Sequence, residues 1–472
     1  MLRRAAILLI SAGAIAVGSN LVGGAGRMSP SEATSSSSDQ ASRAGDVGHV
    51  AGAALRAPSG VVADPVAAPI PVTAGVDEEG RLPIADRLAF WAARVERDPT
   101  DHVSMVQLAG LEAQEARRTS DVDRFRHADA LLDRALAIDP LSFNALRAKA
   151  GVRFALHDFQ GAMQLADRIL AIAPGDVGAV AIDADARLET GDLARAGAEY
   201  ERLAILVPGP AVDARRARHA YLVGDDGDAL RLATDARDEA RRLERIDDPA
   251  FYHYQLAELA RLTGDADLAR VELKAGLAIA PDDTRLLLSA ARLDAATDHV
   301  DDGIAALEHA TAIVPSPESL ALLGDLKALA GDDVGAQAAY ATVDGIGQLA
   351  ASAGGVYDRQ LALFALDHGR VDAALVARLR DALRDRPDAY GHDLLAWALY
   401  RSGQLDAAAD EAEAALSNGI HDARILYHTG AIALADGKAA VGRARLVDAM
   451  TRATALGPSE IADATKLLDG LP

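Results

Sequence analysis

The stretch Ala389–Asp422 reads AYGHDLLAWALYRSGQLDAAADEAEAALSNGIHD and contains two amphipathic segments in 34 residues. A first helix is predicted over about residues 390–401, where apolar side chains recur at helical spacing. Its apolar stripe consists of Leu394, Leu395, Ala396, Ala398 and Leu399. Gly403 indicates a helix C-terminus, because glycine adopts positive φ without steric cost. A second helix is predicted over about residues 406–416, and its alanines at helical spacing favour close packing on the first helix. These alanines are Ala408, Ala412 and Ala415.

The same pattern recurs with a period of 34 residues over about residues 83–472. Three sets of residues share this spacing: Gly369, Gly403 and Gly437; Pro140, Pro174 and Pro208; and Pro281 and Pro315. Stacked units of this kind form one continuous core without a globular boundary. The spacing predicts about nine or ten helix pairs, followed by a capping helix near Ser459–Leu468.

The unit resembles a tetratricopeptide repeat. That family has small residues at positions 8, 20 and 27 of the unit and glycine at position 15. Here these positions hold Ala396, Ala408, Ala415 and Gly403. The unit departs from the pattern at position 24, where a small residue replaces a large one, and in lacking the terminal proline. The resemblance implies an all-α, right-handed superhelix (an α-solenoid) whose first helices line a concave face.

Three irregularities interrupt the period. Extra residues around Arg117–Asp123 predict a long turn. The charged segment Thr234–Asp248 predicts an extended second helix. The glycine-rich stretch Gly345–Gly355 predicts a kink or a break between two blocks of repeats.

The N-terminal residues indicate export from the cytoplasm. Met1-Leu2-Arg3-Arg4 precedes 22 uncharged residues, Ala5–Gly26, which is the form of a secretory signal. The alternative is an uncleaved membrane anchor, since about 20 apolar residues span a bilayer. Residues 1–26 are thus predicted to be a signal peptide or an anchor. The repeats would then be secreted, periplasmic or on the cell surface, either free or attached to a membrane.

Residues 27–82 are predicted to form a disordered linker. The range Met28–Gly80 has no aromatic residue, and Pro65, Pro69 and Pro71 oppose long helices. Such a segment buries too little apolar surface to offset the entropy of ordering. The alternative is a pro-segment that is removed by processing.

Composition excludes several classes of function. The chain has no cysteine, which excludes thiol catalysis and thiolate metal sites. Its net charge of −22 opposes binding to nucleic acid, because the phosphates repel it. The charge favours solubility, with an acidic groove for a basic partner as the alternative. His421 and His428 are predicted to be surface residues rather than metal ligands.

The sequence has no phosphate-binding loop, zinc-protease motif or nucleophile elbow. We therefore predict a non-enzyme without cofactor or metal.

Candidate binding residues follow from the resemblance, which places four positions of each first helix in the concave groove. One unit offers Tyr390, Asp393, Trp397 and Tyr400, and another offers Phe251, Tyr254, Glu258 and Arg261. Further candidates are Asn144, Arg147, Phe154, Arg285 and Arg292. Aromatic residues and arginine often dominate binding energy. The alternative is that the aromatic side chains fill gaps between adjacent units and contact no ligand.

These features predict a non-catalytic extracytoplasmic scaffold that binds a segment of another protein in its groove. A second hypothesis is an enzyme or accessory subunit that acts on cell-envelope glycans, because carboxylates and aromatics suit sugar recognition. A third is self-association through the ends of the solenoid.

Overall fold

The computed structural model describes residues 83–119, 121–243, 248–352 and 359–471. The signal or anchor predicted for residues 1–26 and the linker predicted for 27–82 lie outside these ranges. Within them the chain is all-α and has no β-strand. The helices are α1 (Ile84–Arg97), α2 (His102–Thr119), α3 (Val122–Ile138), α4 (Phe143–Ala155), α5 (Phe159–Ile172), α6 (Val177–Glu189), α7 (Leu193–Leu206), α8 (Pro210–Leu222), α9 (Asp226–Arg242), α10 (Pro249–Thr263), α11 (Ala266–Ile279), α12 (Thr284–Ala296), α13 (Val300–Ile313), α14 (Pro317–Leu329), α15 (Asp333–Ser352), α16 (Arg359–Asp367), α17 (Ala373–Asp385), α18 (Ala389–Arg401), α19 (Leu405–Ala415), α20 (Ala423–Ala435), α21 (Ala439–Thr451) and α22 (Pro458–Asp469), with a short 3-10 turn at Ala453–Ala455. None of the helices in the described ranges is both long and apolar enough to cross a membrane.

Helices α2–α21 form ten helix-turn-helix pairs, which we number 1 to 10 in chain order. Helix α1 precedes pair 1, and α22 follows pair 10 at the predicted position of the capping helix. The α-solenoid predicted from the period is confirmed. In the quoted stretch, helices begin at Ala389 and Leu405, each one residue before its predicted start.

The turn inside nine of the ten pairs contains a left-handed residue within the described ranges. Seven of these turns have a glycine with positive φ: Gly191, Gly224, Gly264, Gly331, Gly369, Gly403 and Gly437. In two pairs without this glycine, His157 (φ 60°) and Asp298 (φ 61°) occupy the same position. Glycine has no Cβ atom to clash in this conformation, which explains its recurrence at the 34-residue period.

The predicted long turn near Arg117–Asp123 is wrong. Helix α2 continues to Thr119 and α3 begins at Val122, so most of the extra residues lengthen the helices. The extended second helix predicted from Thr234 is confirmed as far as Arg242, where α9 ends.

The glycine-rich stretch does not separate two blocks over its described part. Helix α15 continues through Gly345 and Gly347 to Ser352. Phe364 of α16 packs in one apolar cluster with Leu320 of α14 and with Val343 and Ile346 of α15. The core is therefore continuous from pair 7 to pair 8, while residues 353–358 lie outside the described ranges.

Aspartate begins many of the helices. Ten N-cap aspartates accept hydrogen bonds from backbone N–H groups in the first turn: Asp121, Asp158, Asp176, Asp225, Asp248, Asp265, Asp283, Asp372, Asp388 and Asp422. Such caps satisfy otherwise unpaired donors and place negative charge at the positive end of the helix dipole.

Successive turns of the superhelix contact each other after about six pairs. We call the turns inside the pairs the upper edge and the connections between successive pairs the lower edge. The upper edge of pairs 3 to 5 contacts the lower edge six pairs later, and we call this contact the inter-turn interface. A Cβ atom added to Gly191 would lie 2.6 Å from the carbonyl oxygen of Pro387, and one on Gly264 would lie 2.8 Å from that of Thr451. One on Gly224 would overlap the carbonyl oxygen of Gly419.

Apolar side chains seal this interface. Ile420 and Ile425 belong to the same buried cluster as Leu222, Leu256 and Leu259. Because most solenoid repeats contact only their neighbours, this contact adds a long-range constraint to the fold.

Candidate binding surface

The four candidate residues of α10 are buried in contacts within the chain. The guanidinium of Arg285 lies 5.7 Å from the ring centroid of Phe251 and 5.6 Å from that of Tyr254. Arg261 donates to both carboxylate oxygens of Glu258, at 2.6 and 3.1 Å. These contacts join pair 5 to pair 6 and occupy the polar atoms that a ligand would otherwise bind.

Arg261 also belongs to the inter-turn interface. Its Nη1 donates to the carbonyl oxygen of Thr454 at 2.9 Å, and the Thr454 hydroxyl donates to the carbonyl oxygen of Arg261 at 2.6 Å. The segment after pair 10 therefore covers this end of α10.

Glu258 is held as a carboxylate. Burial alone would raise its pKa, but Arg261 and Arg292 and a hydrogen bond from Ser289 outweigh this effect and lower the pKa to about 2. The Ser289 Oγ donates at 2.7 Å, and the guanidinium of Arg292 lies 3.7 Å away. Stabilisation of the charged form by such partners makes the carboxylate a structural ion.

In α18, Asp393 and Trp397 pack around a buried histidine. His428 Nδ1 lies 3.0 Å from both carboxylate oxygens of Asp393. The Trp397 ring stacks on His428 with a centroid distance of 4.1 Å and an interplanar angle of 14°. The prediction that His428 is a surface residue is wrong, because its side chain is 1% exposed. His421 is exposed, as predicted.

Tyr390 and Tyr400 are half-buried in different surroundings. The Tyr390 hydroxyl lies 3.4 Å from Oδ2 of Asp422, and the hydroxyl of Tyr221 donates to the same oxygen at 2.9 Å across the inter-turn interface. Tyr400 lies farther along α18 and stacks on Trp397 with a centroid distance of 5.2 Å. The role of these eight residues in ligand binding stays a prediction.

The further candidates also have partners within the chain, except for the exposed Asn144. Arg147 pairs with the N-cap carboxylate of Asp176, and Arg292 pairs with Glu318. Phe154 packs edge-on against Phe159 with a centroid distance of 5.3 Å. The Phe154 contact lies within pair 2, whereas the ion pairs of Arg147 and Arg292 join adjacent pairs.

A buried ion cluster at the inter-turn interface could not be recognised in the sequence. Arg218 donates to Glu189 at 2.8 Å, and Arg386, which is 197 positions farther along the chain than Glu189, pairs with the same carboxylate. Arg386 Nε also lies 3.1 Å from Asp388, which Arg359 contacts through two bonds of 2.8 Å. Each of these residues looks like an ordinary helix-surface charge, because no local pattern reports contacts at such separation.

Opposite charges control the ionisation of this cluster. Burial alone would raise the pKa of Glu189, but Arg218 and Arg386 outweigh burial and lower it. A cavity of about 20 Å³ adjoins the cluster and is lined by residues that include Gly191 and Asn418. That volume holds about one water molecule.

An accessible group of side chains lies near the C-terminal end, on the first helices of pairs 8 to 10 and on α22. We call it the concave patch, and it consists of Asp367, Tyr400, Arg401, Arg424 and Asp463. Asp367, Arg401 and Asp463 are exposed, and Tyr400 and Arg424 are half-buried.

Contacts with the residues beneath hold the concave patch together. The Arg401 guanidinium lies 5.8 Å from the centroid of the Trp397 ring, and Arg424 Nε lies 2.8 Å from Glu460. Burial raises the pKa of Tyr427, and the nearby carboxylates of Asp463, Glu460 and Asp367 raise it further. The patch combines an aromatic face, two cations and carboxylates, which can bind a peptide by stacking and hydrogen bonds.

Within the described ranges, no three His, Cys, Asp or Glu side chains are grouped so that they could hold a metal ion.

No protein-family model matches the chain, and no curated protein matches its sequence. Three of the solved structures to which this chain is similar are tetratricopeptide repeat proteins. One from Parabacteroides merdae has 12% identity and a TM-score of 0.44, over 52% of this chain and 91% of its own. A thermophilic one from Thermus thermophilus has 21% identity and a TM-score of 0.32, over 37% of this chain and 91% of its own. YrrB, a tetratricopeptide protein with an unusual peptide-binding site, has 16% identity and a TM-score of 0.29, over 42% of this chain and 95% of its own.

Proposed function

We infer that this chain, a solenoid of the tetratricopeptide type, is a non-catalytic scaffold that binds another protein through its concave patch. The observation that supports this function is the accessibility of Tyr400, Arg401 and Asp367 on an inner surface where six other predicted binding residues are buried. These six are Asp393, Trp397, Phe251, Tyr254, Glu258 and Arg261. Aromatic residues and arginine at the centre of an interface commonly contribute most of the affinity.

The patch rests on a rigid support. Trp397 is stacked between His428 and Tyr400, and Asp393 holds His428 from behind. A side chain that is already ordered loses little entropy when a ligand binds. A partner segment that carries both basic and carbonyl groups fits the mixed charge of the patch.

We further propose that the repeats function outside the cytoplasm. The support is the sequence of residues 1–26, whose charged start and apolar run match a signal or an anchor. Cell fractionation and N-terminal sequencing of the chain from its own host test this proposal. Recovery of the intact chain from the cytoplasm would contradict it.

The binding proposal is tested by crosslinking the full chain to a cell-envelope extract. The test variant is Tyr400→Ala with Arg401→Ala, because both side chains are more exposed than the Trp397 ring on which they lie. Trp397→Ala is less suitable, since Trp397 is 5% exposed and its loss would open a cavity. Loss of about 2 kcal/mol at each position would weaken binding by roughly 30-fold per residue.

The control variant is Arg384→Ala, whose guanidinium is exposed on α17 and pairs with exposed Asp381. A protein that the parent and the control capture, and that the double variant loses, supports the proposal. Equal capture by all three chains, or capture by none, contradicts binding at the concave patch.

A further inference from the structure

We propose that the uncovered edges of the superhelix bind a second copy of this chain, head to tail. Within one chain, the lower edge of later pairs already lies on the upper edge of pairs 3 to 5. No other described residue covers the lower edge of the early pairs or the upper edge of the late pairs. Each copy therefore has both halves of a contact that the chain already makes with itself.

The uncovered lower edge is apolar. Nine of the sixteen exposed large aliphatic residues in the described ranges lie at the lower-edge ends of helices or in the connections between pairs. These nine are Val103, Ile138, Leu141, Ile172, Ile205, Leu206, Leu243, Ile279 and Ile313. Several recur at the 34-residue period, so they form a row along the edge rather than scattered positions. Exposed apolar side chains that lie together on one surface mark interaction sites.

Exposure differs between the uncovered and the covered connections of the lower edge. Pro140 lies two residues before the N-cap of α4 and is exposed, whereas Ile420 lies two residues before the N-cap of α20 and is 1% exposed. Ile420 is buried by Leu222 and its neighbours on the upper edge of an earlier turn. The exposed row therefore lies on the same edge that the chain buries against itself between pairs 9 and 10.

The turn glycines of the upper edge are covered in pairs 3 to 5 and open in pairs 7, 9 and 10. At the inter-turn interface, a Cβ atom on Gly191, Gly224 or Gly264 would meet backbone atoms of the next turn. A Cβ atom on Gly331, Gly403 or Gly437 would meet no atom within 4 Å.

This open half of the upper edge also presents apolar side chains. Val334 is 84% exposed and Val441 is 41% exposed, each close to the start of a second helix. These residues can receive the aliphatic row of another copy.

The contact is heterologous, because it joins two different surfaces. A heterologous contact does not close with two copies and instead builds an open array. The charge of −22 on each copy opposes association. Salt screens that repulsion and strengthens apolar burial, so association should increase with ionic strength.

The experiment measures the mass of the full chain by light scattering and sedimentation, over a range of concentrations in about 0.5 M salt, where the Debye length is only a few ångströms. Residues 1–82 are common to all variants, so any association through them is shared. The lower-edge variant is Leu141→Asp with Ile205→Asp. The upper-edge variant is Val334→Asp with Val441→Asp, where acidic residues near helix N-termini are tolerated.

The control is Val271→Asp with Val447→Asp, which adds the same charge at exposed mid-helix positions away from both edges. We expect the parent and the control to exceed the single-chain mass of 49.0 kDa at least twofold as concentration rises. Each edge variant should remain at the single-chain mass, or at a constant residual level set by residues 1–82. An equimolar mixture of the two edge variants should form a complex of two chains and stop there, because each retains one intact edge.

A parent that stays at the single-chain mass at every concentration would overturn the proposal, and the edges would then belong to another protein or to residues 27–82 of the same chain. Equal association of the parent, the control and both edge variants would overturn it too, as would failure of the two edge variants to combine. Partner capture through the concave patch is a separate measurement, so the two proposals fail independently.

Discussion

At the scale of single residues, many charges in this chain have structural roles. Ten aspartates cap helices, and others form ion pairs between adjacent units. Part of the net charge of −22 therefore comes from residues that the helix ends require. The sequence predicted solubility from this charge, but it could not separate capping aspartates from surface ones until the helix starts were known.

The lowered pKa of Glu258 predicts that the stability of the fold depends on pH. Its pKa is lowered from 4.5 to about 2 in the fold, so the folded state binds fewer protons than the unfolded state between these values. Its stabilisation is complete above about pH 4.5 and is lost as the pH falls toward 2, by roughly 3 kcal/mol in total. In Glu258→Gln, the free energy of unfolding should therefore depend less steeply on pH in this window, as measured by urea titrations at several pH values.

Glu413→Gln serves as the control for that series. Glu413 pairs with Arg445 but its side chain is 58% exposed, and exposed pairs contribute little. A pH dependence that is equally steep in Glu258→Gln and in the control would show that Glu258 is not held as a charged group in the fold.

At the scale of elements, the turn inside each pair was predictable and its surroundings were not. The period identified Gly403 as a helix C-terminus, and the left-handed φ confirms it. Gly224 has the same role in its own unit, but it also touches Gly419 of a later turn. No local pattern distinguishes the two glycines, because the second contact depends on the superhelical path of the whole chain.

Two alanine substitutions separate these roles. Gly403→Ala should destabilise the protein by about 1–2 kcal/mol, the cost of a left-handed non-glycine residue, since its Cβ has open space. Gly224→Ala should cost the same plus roughly 1–3 kcal/mol for overlap with the Gly419 backbone. The measurement is the free energy of unfolding in denaturant, with the parent as reference. Equal losses in the two variants would contradict the close approach at Gly224.

The surroundings of the candidate site also depend on contacts that no local pattern reports. The resemblance placed Glu258, Arg261 and Trp397 in a groove, and each is in fact within the buried part of the chain. The prediction assumed that first helices face open space, as they do in a solenoid whose turns remain apart. Here adjacent units and a later turn cover part of that face. The part that remains accessible includes Tyr400 and Arg401.

At the scale of the whole molecule, the inter-turn interface couples units that are distant in sequence. Arg386 is central to it, because it contacts both the carboxylate and the carbonyl oxygen of Glu189. Loss of one partner from a buried ion pair typically costs 3–5 kcal/mol. Pairs 3 to 5 and the C-terminal pairs should therefore open together in the parent and separately when the pair is broken.

Hydrogen exchange of the backbone amides tests this coupling. In Arg386→Ala, we expect the amides of α18 and α20 to exchange at a free energy about 3 kcal/mol lower than in the parent. Arg384→Ala, two residues away in an exposed pair with Asp381, should change exchange by less than about 1 kcal/mol. Similar exchange profiles for the two variants would show that the interface does not link the turns.

The inter-turn interface also limits how the gene for this chain can gain or lose repeats. An open solenoid gains or loses a repeat by duplication or deletion, and each remaining unit keeps its neighbours. Here, removal of one 34-residue unit between Gly224 and Gly419 would shift the register of every contact across the two turns by one position. Glu189 would then face the wrong connection and lose Arg386. Copy number is therefore fixed between these points, and variation among descendants of this gene should be confined to units at the two ends.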